Sequence, residues 1–102
     1  MSFLSPDREA DISAGTAIRE PKRYKVLLHN DNYTRMDFVV DVLISIFRKS
    51  PQEATNIMRT VHEKGCCICG IYTQEVAETK LEQVRQRARQ SGFPLRCTME
   101  ET

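Results

Sequence analysis

The run His29-Asn30-Asp31-Asn32-Tyr33-Thr34-Arg35-Met36 gathers an imidazole, two amides, a carboxylate, a phenol, a hydroxyl and a guanidinium, and closes on a thioether. Polarity in a connection is ordinary, because loops lie at the surface. A second group downstream gives it interest. Met58, Val61 and His62 stand at i, i+3 and i+4, so one helix face presents them together. If that face turns toward the loop, an apolar hollow forms against Thr34 and Met36, with Asn30, Asp31, Asn32 and His62 at its rim. Asn oxygens and a neutral imidazole nitrogen accept hydrogen bonds from an ammonium, and Asp31 adds negative charge. The hollow takes a bulky apolar side chain. One ligand has both features: the free N-terminus of a peptide with a large hydrophobic first residue. The residues alone leave a rival open, a satisfied loop beside an ordinary helix.

Other chemistries are less well served. His62, Cys66, Cys67 and Cys69 lie close in sequence, and Cys66 and Cys69 have the C-x-x-C spacing. Structural zinc sites need a second ligand pair, however, and none accompanies it. In a strand, Cys67 and Cys69 share a face and Cys66 points the other way. Small thiols filling a tight sheet account for them better, so no metal is expected. No local signature places a cysteine beside a histidine as nucleophile and base, and no catalytic residue is assigned. Gly15, Gly65, Gly70 and Gly92 stand alone, without a phosphate-binding or dinucleotide fingerprint, and no cofactor is expected.

The elements that position the loop follow from periodicity and punctuation. Tyr24-Lys25-Val26-Leu27-Leu28 alternates like a strand, with Val26 and Leu28 on one face. After the loop, Thr34 is the expected N-cap, with Asp37 in the acceptor position of a capping box. Val39, Val40, Leu43, Ile46 and Phe47 then give an amphipathic helix expected to end near Arg48-Lys49, where cations suit the helix dipole. Ser50-Pro51-Gln52-Glu53 is a stronger start: a cap serine, proline in the first turn, and a glutamate closing the box. Ala54, Ile57, Met58 and Val61 form that helix's apolar face, and Gly65 stops it. Cys66 to Tyr72 is a short apolar run expected as a buried strand. Thr73 caps a third helix with Ala77, Leu81, Val84 and Ala88 on its inner face; Gly92 and Pro94 end it. Leu95 to Met99 is the last strand.

The order strand, helix, helix, strand, helix, strand predicts an α+β fold. A two-layer sandwich with a small, mainly antiparallel three-stranded sheet on three helices is the economical arrangement. Residues 1–22 carry scattered apolar side chains without a stripe, so a flexible N-terminal extension is expected before a core domain at 23–102.

Composition bounds the partners. Fifteen basic and 14 acidic residues give a net charge of +1, with no global drive toward nucleic acid or an anionic membrane. The arginines of the third helix are interleaved with glutamates, as on a solvated face. No apolar run approaches the roughly 20 residues that span a bilayer. The N-terminus has no basic region followed by an apolar stretch, which implies a cytoplasmic chain with reduced thiols.

The segment Tyr24 to Val39 resembles the signature of the ClpS adaptor family. So do Ala54-Thr55-Asn56-Ile57-Met58 with Val61-His62, Cys69-Gly70-Ile71-Tyr72 with Glu75 to Lys80, and Pro94-Leu95. The likeness runs from about Lys22 to Glu100. It implies a non-enzymatic adaptor that binds proteins beginning with Leu, Phe, Tyr or Trp and delivers them to the ClpA unfoldase of the ClpAP protease. By position, Asn30, Asn32 and His62 hold the α-amino group, with Asp31 nearby. Thr34, Met36, Val39, Met58, Val61 and Leu95 line the side-chain pocket, with Met36 crowding out β-branched side chains. Glu75 and Lys80 face the unfoldase's N-terminal domain, and the extension is engaged during hand-off. A two-layer domain of this kind is also similar to the ribosomal stalk protein's C-terminal domain, a general protein-interaction module without an amine pocket.

Two departures belong to this chain. Asn32 stands where the family usually has a second aspartate, and Arg35 replaces a proline. An amide still accepts from an ammonium but brings no charge, and a cation at the pocket mouth opposes the ligand's own. Altered affinity, or a narrower choice among the four first residues, is the expectation.

Overall fold

The computed structural model describes residues 21–102. The extension expected over residues 1–22 therefore lies, but for its last two residues, outside the described residues. The elements come in the expected order: β1 (Arg23–His29), α1 (Met36–Ser45), α2 (Pro51–Lys64), β2 (Cys66–Thr73), α3 (Gln74–Ser91) and β3 (Arg96–Glu101). The sheet has the order β2-β1-β3 with both pairings antiparallel, so the fold is α+β, with β1 in the centre. Central placement explains the density of apolar residues in β1: Val26 and Leu28 are fully buried on the helix side.

The core forms where the inner sheet face meets the helices, around Val42, Leu43, Ala54, Ala77 and Val84. Ser50 caps α2 with the expected reciprocal box and Gly65 closes it at φ 95°. Thr73 caps α3, and Gly92 ends it at φ 77°. Both glycines occupy the left-handed region that side chains avoid. Among the described residues, no helix is long and apolar enough to cross a membrane.

Three expectations are corrected. The regular part of α1 ends at Ser45, short of Arg48-Lys49. Ile46 and Phe47 are drawn down into the core, and Arg48 takes a left-handed φ of 58° to turn the chain. The cation at this helix end comes instead from α3, where Lys80 Nζ donates to the Ile46 carbonyl at 2.6 Å. Next, β2 is an edge strand rather than a buried one. Cys66, Ile68 and Ile71 are exposed, because helices cover only one sheet face. Its register against β1 shifts between Val26 and Leu27, leaving Cys69 as the extra, buried residue of a bulge. Finally, β3 begins one residue after Leu95, which is buried beside the strand rather than within it.

Candidate functional site

The loop between β1 and α1 is built around Asp31. One carboxylate oxygen accepts the backbone N–H groups of Tyr33 (2.8 Å) and Thr34 (2.7 Å), and the other accepts the Thr34 hydroxyl (2.7 Å). An aspartate bonding backbone two and three residues ahead closes a compact turn. Burial alone would raise the Asp31 carboxyl, but the bonds from Thr34 and Tyr33 outweigh it and hold it below the ordinary value.

This arrangement overturns the expected cap. Thr34 is not the N-cap of α1, because its hydroxyl faces back to Asp31. Arg35 occupies the cap position without any side-chain cap bond. Asp37 does not close a box either. It receives Arg35 Nε and Nη2 at 3.1 and 2.9 Å, so the guanidinium already has a counter-charge.

At its other end the loop is fastened to α2: the Asn30 backbone N–H donates to the Gly65 carbonyl at 2.8 Å. Gly65 follows the last turn of α2, the turn that carries His62. The left-handed glycine that stops the helix thus also brings the loop and the helix face together.

Between them lies a cavity of about 220 Å³. That is smaller than the roughly 300–1,000 Å³ of pockets for drug-sized molecules, and suits one side chain with a few polar atoms. Asn30, Asp31, Asn32 and His62 border it, with Thr34, Met36, Val39, Met58, Val61 and Leu95 as the other walls. Val39, Val61 and Leu95 are buried and Met36 is 47% exposed, so the apolar surface runs from floor to mouth. Asn30, Asn32 and His62 are exposed, whereas the Asp31 oxygens are taken up within the loop. The rim offers hydrogen-bond acceptors and the floor offers hydrocarbon. That combination holds an ammonium beside an apolar group.

His29, which opens the polar run but has no role assigned from sequence, also borders the cavity. Its ring nitrogen lies 2.7 Å from the Thr98 hydroxyl, which ties β1 to β3 beside the loop. Burial, then the Arg96 charge, lowers its pKa. A histidine directly after the apolar run Val26-Leu27-Leu28 is the available signal.

Glu75 and Lys80 stand apart, on α3. Glu75 is exposed. The Lys80 ammonium is held by the Ile46 carbonyl and lies 5.8 Å from the Tyr72 ring centre. The four cysteines are free thiols. Burial pushes Cys69 strongly up and Cys97 up to about 12, so neither presents a thiolate nucleophile near neutral pH.

Comparison with known proteins places this geometry in a family. Residues 19–98 match the family described as ATP-dependent Clp protease adaptor protein ClpS. The ATP-dependent Clp protease adapter protein ClpS of Oleidesulfovibrio alaskensis is 60% identical over 98 residues, covering 96% of this chain and 94% of that protein. Its counterpart in Wolinella succinogenes is 50% identical over 95 residues, covering 93% of each. Among solved structures, Agrobacterium tumefaciens ClpS2 bound to L-phenylalaninamide superposes with a TM-score of 0.79 at 37% identity. That match covers 81% of this chain and all of the other. The chain therefore belongs to the ClpS family of ATP-dependent Clp protease adaptor proteins.

Proposed function

We propose that this chain binds the free N-terminus of proteins whose first residue is Leu, Phe, Tyr or Trp, and hands them to the ClpA unfoldase of the ClpAP protease. The observation that carries the reading is the single cavity joining Asn30, Asn32 and His62 to Met36, Val39, Met58, Val61 and Leu95. Phenylalaninamide, bound by the related ClpS2, has an α-amine and a benzyl group on one carbon. Those are the two groups this rim and these walls suit.

In this reading the ammonium donates to Asn30, Asn32 and the imidazole of His62, and the first side chain fills the apolar hollow. Asp31 acts mainly by fixing the loop, its charge contributing at slightly longer range. Glu75 is the freer of the two unfoldase-facing residues, since the Lys80 ammonium is already engaged.

Calorimetry with short peptides beginning in Leu, Phe, Tyr and Trp, each with a free and an N-acetylated terminus, tests the reading. Free peptides should bind and acetylated ones should not. Equal binding of both would favour a surface-interaction domain without an amine pocket. Asn32 adds a finer expectation. A charged hydrogen bond is worth about 1.5–3 kcal/mol, so restoring a carboxylate should recover a fraction of that. Asn32→Asp should bind the same peptides several-fold tighter, about 3- to 10-fold. Unchanged affinities would overturn the expectation that Asn32 alters binding.

A further inference from the structure

Resting on that reading of the pocket, we propose that a recess behind Leu95 sets how large a first residue the pocket accepts. The recess lies between α3 and β3 and has a volume of about 180 Å³. Leu81 and Val84 border it from the helix, Cys97 from the strand, and Pro94 and Leu95 from the connection between them. Among the described residues, Leu95 is the one that borders both this recess and the peptide cavity. It is the partition between them, 7% exposed, with open volume on its far side.

The other buried walls of the peptide cavity give way less readily. Val39 and Val61 stand inside α1 and α2, where hydrogen-bonded turns hold the backbone. Leu95 stands in the short connection between Ser91 and Arg96, outside any regular element. A close-packed side chain moves only by straining its neighbours, whereas one beside a cavity can shift into it. The surface that receives Leu95 is apolar: Val84 is fully buried, and Leu81 is half-buried against the core. Cys97 adds a neutral thiol, since burial pushes its pKa up to about 12. The four first residues make unequal demands on this wall. The isobutyl group of Leu suits the cavity with Leu95 in place, the rings of Phe and Tyr press on it, and the indole of Trp presses most.

Cys97→Leu tests this by filling the recess from β3, since Cys97 does not border the peptide cavity. Fluorescence anisotropy compares free-amine peptides that differ only in their first residue, on the full chain. The Trp peptide should bind the variant about ten-fold more weakly than the wild type, the size expected when a shifted side chain has no room. The Leu peptide should change less than about two-fold, with Phe and Tyr between. A second readout needs no substitution and so no refolding of a variant. Methyl resonances of Leu81 and Val84 should move more on binding a peptide that begins in cyclohexylalanine, bulky but without a ring current, than on binding the Leu peptide. A loss in Cys97→Leu no larger for Trp than for Leu, or Leu81 and Val84 methyls that respond equally to both peptides, would overturn the proposal. Failure of every free-amine peptide to bind the wild-type chain would overturn the reading of the pocket itself, and this inference with it.

Discussion

The entries to α1 and α2 begin from nearly the same backbone and are finished differently. Arg35 has φ −69° and ψ 142°, and Ser50 has φ −68° and ψ 160°. At α2 the polar side chains serve the helix. Ser50 accepts from the Glu53 N–H at 3.2 Å, and Glu53 returns the bond to the Ser50 N–H at 3.1 Å. At α1 they serve the loop, with Thr34 bonded backward to Asp31 and Asp37 holding Arg35. Yet α1 forms, because Val39, Val42 and Leu43 bury its inner face. A helix with enough packing can release its capping groups, and here Thr34 lines the wall of the cavity instead.

That contrast is broken most severely at Asp31. Asp31→Ala removes the acceptor of three bonds and should lower affinity for a Leu-initiated peptide about ten-fold or more by calorimetry. The thermal midpoint should fall only modestly, since the loop is largely solvated. Ser50→Ala should do the reverse. Loss of a cap costs about 1 kcal/mol of stability, lowering the midpoint by about 4–8 °C, with peptide affinity changed less than about two-fold. Thr34→Val removes one bond and leaves the two backbone donors to Asp31, so affinity should fall by about two- to five-fold.

The smallest expected effect is in pH. The folded Asp31 carboxyl lies below its ordinary value. Its contribution is therefore fully present above the unfolded carboxylate range near pH 3.9, and is lost as pH falls through the lower folded value. Amide resonances of Tyr33 and Thr34, followed by NMR, should stay constant from pH 7 to 5 and move only below that range.

Much of this was legible because local signals and packing agree. Ser50-Pro51-Gln52-Glu53 has no competing partner nearby, so the capping box forms as written. The i, i+3, i+4 spacing of Met58, Val61 and His62 turned them together toward the loop, and all three border the cavity. The misreadings fall where one residue type has two partners within reach. Thr34 could cap forward or bond back, and Asp31 three residues earlier takes its hydroxyl. The end of α1 was obscured for a tertiary reason. Core packing of Ile46 and Phe47, with Lys80 reaching across from α3, decides where the helix stops. The edge position of β2 depends on sheet order, which its own eight residues do not encode. The role of His29 is not legible locally because its contact, Thr98, lies on the last strand.

A crystal structure with a peptide beginning in Leu or Phe tests the central claim most directly. The ammonium should lie within hydrogen-bond distance, about 2.7–3.2 Å, of Asn30, Asn32 and His62. The first side chain should sit against Met36, Val39, Met58 and Val61, with the Asp31 turn unchanged. A peptide bound on another surface, or in the cavity with its amine facing water, would contradict the account.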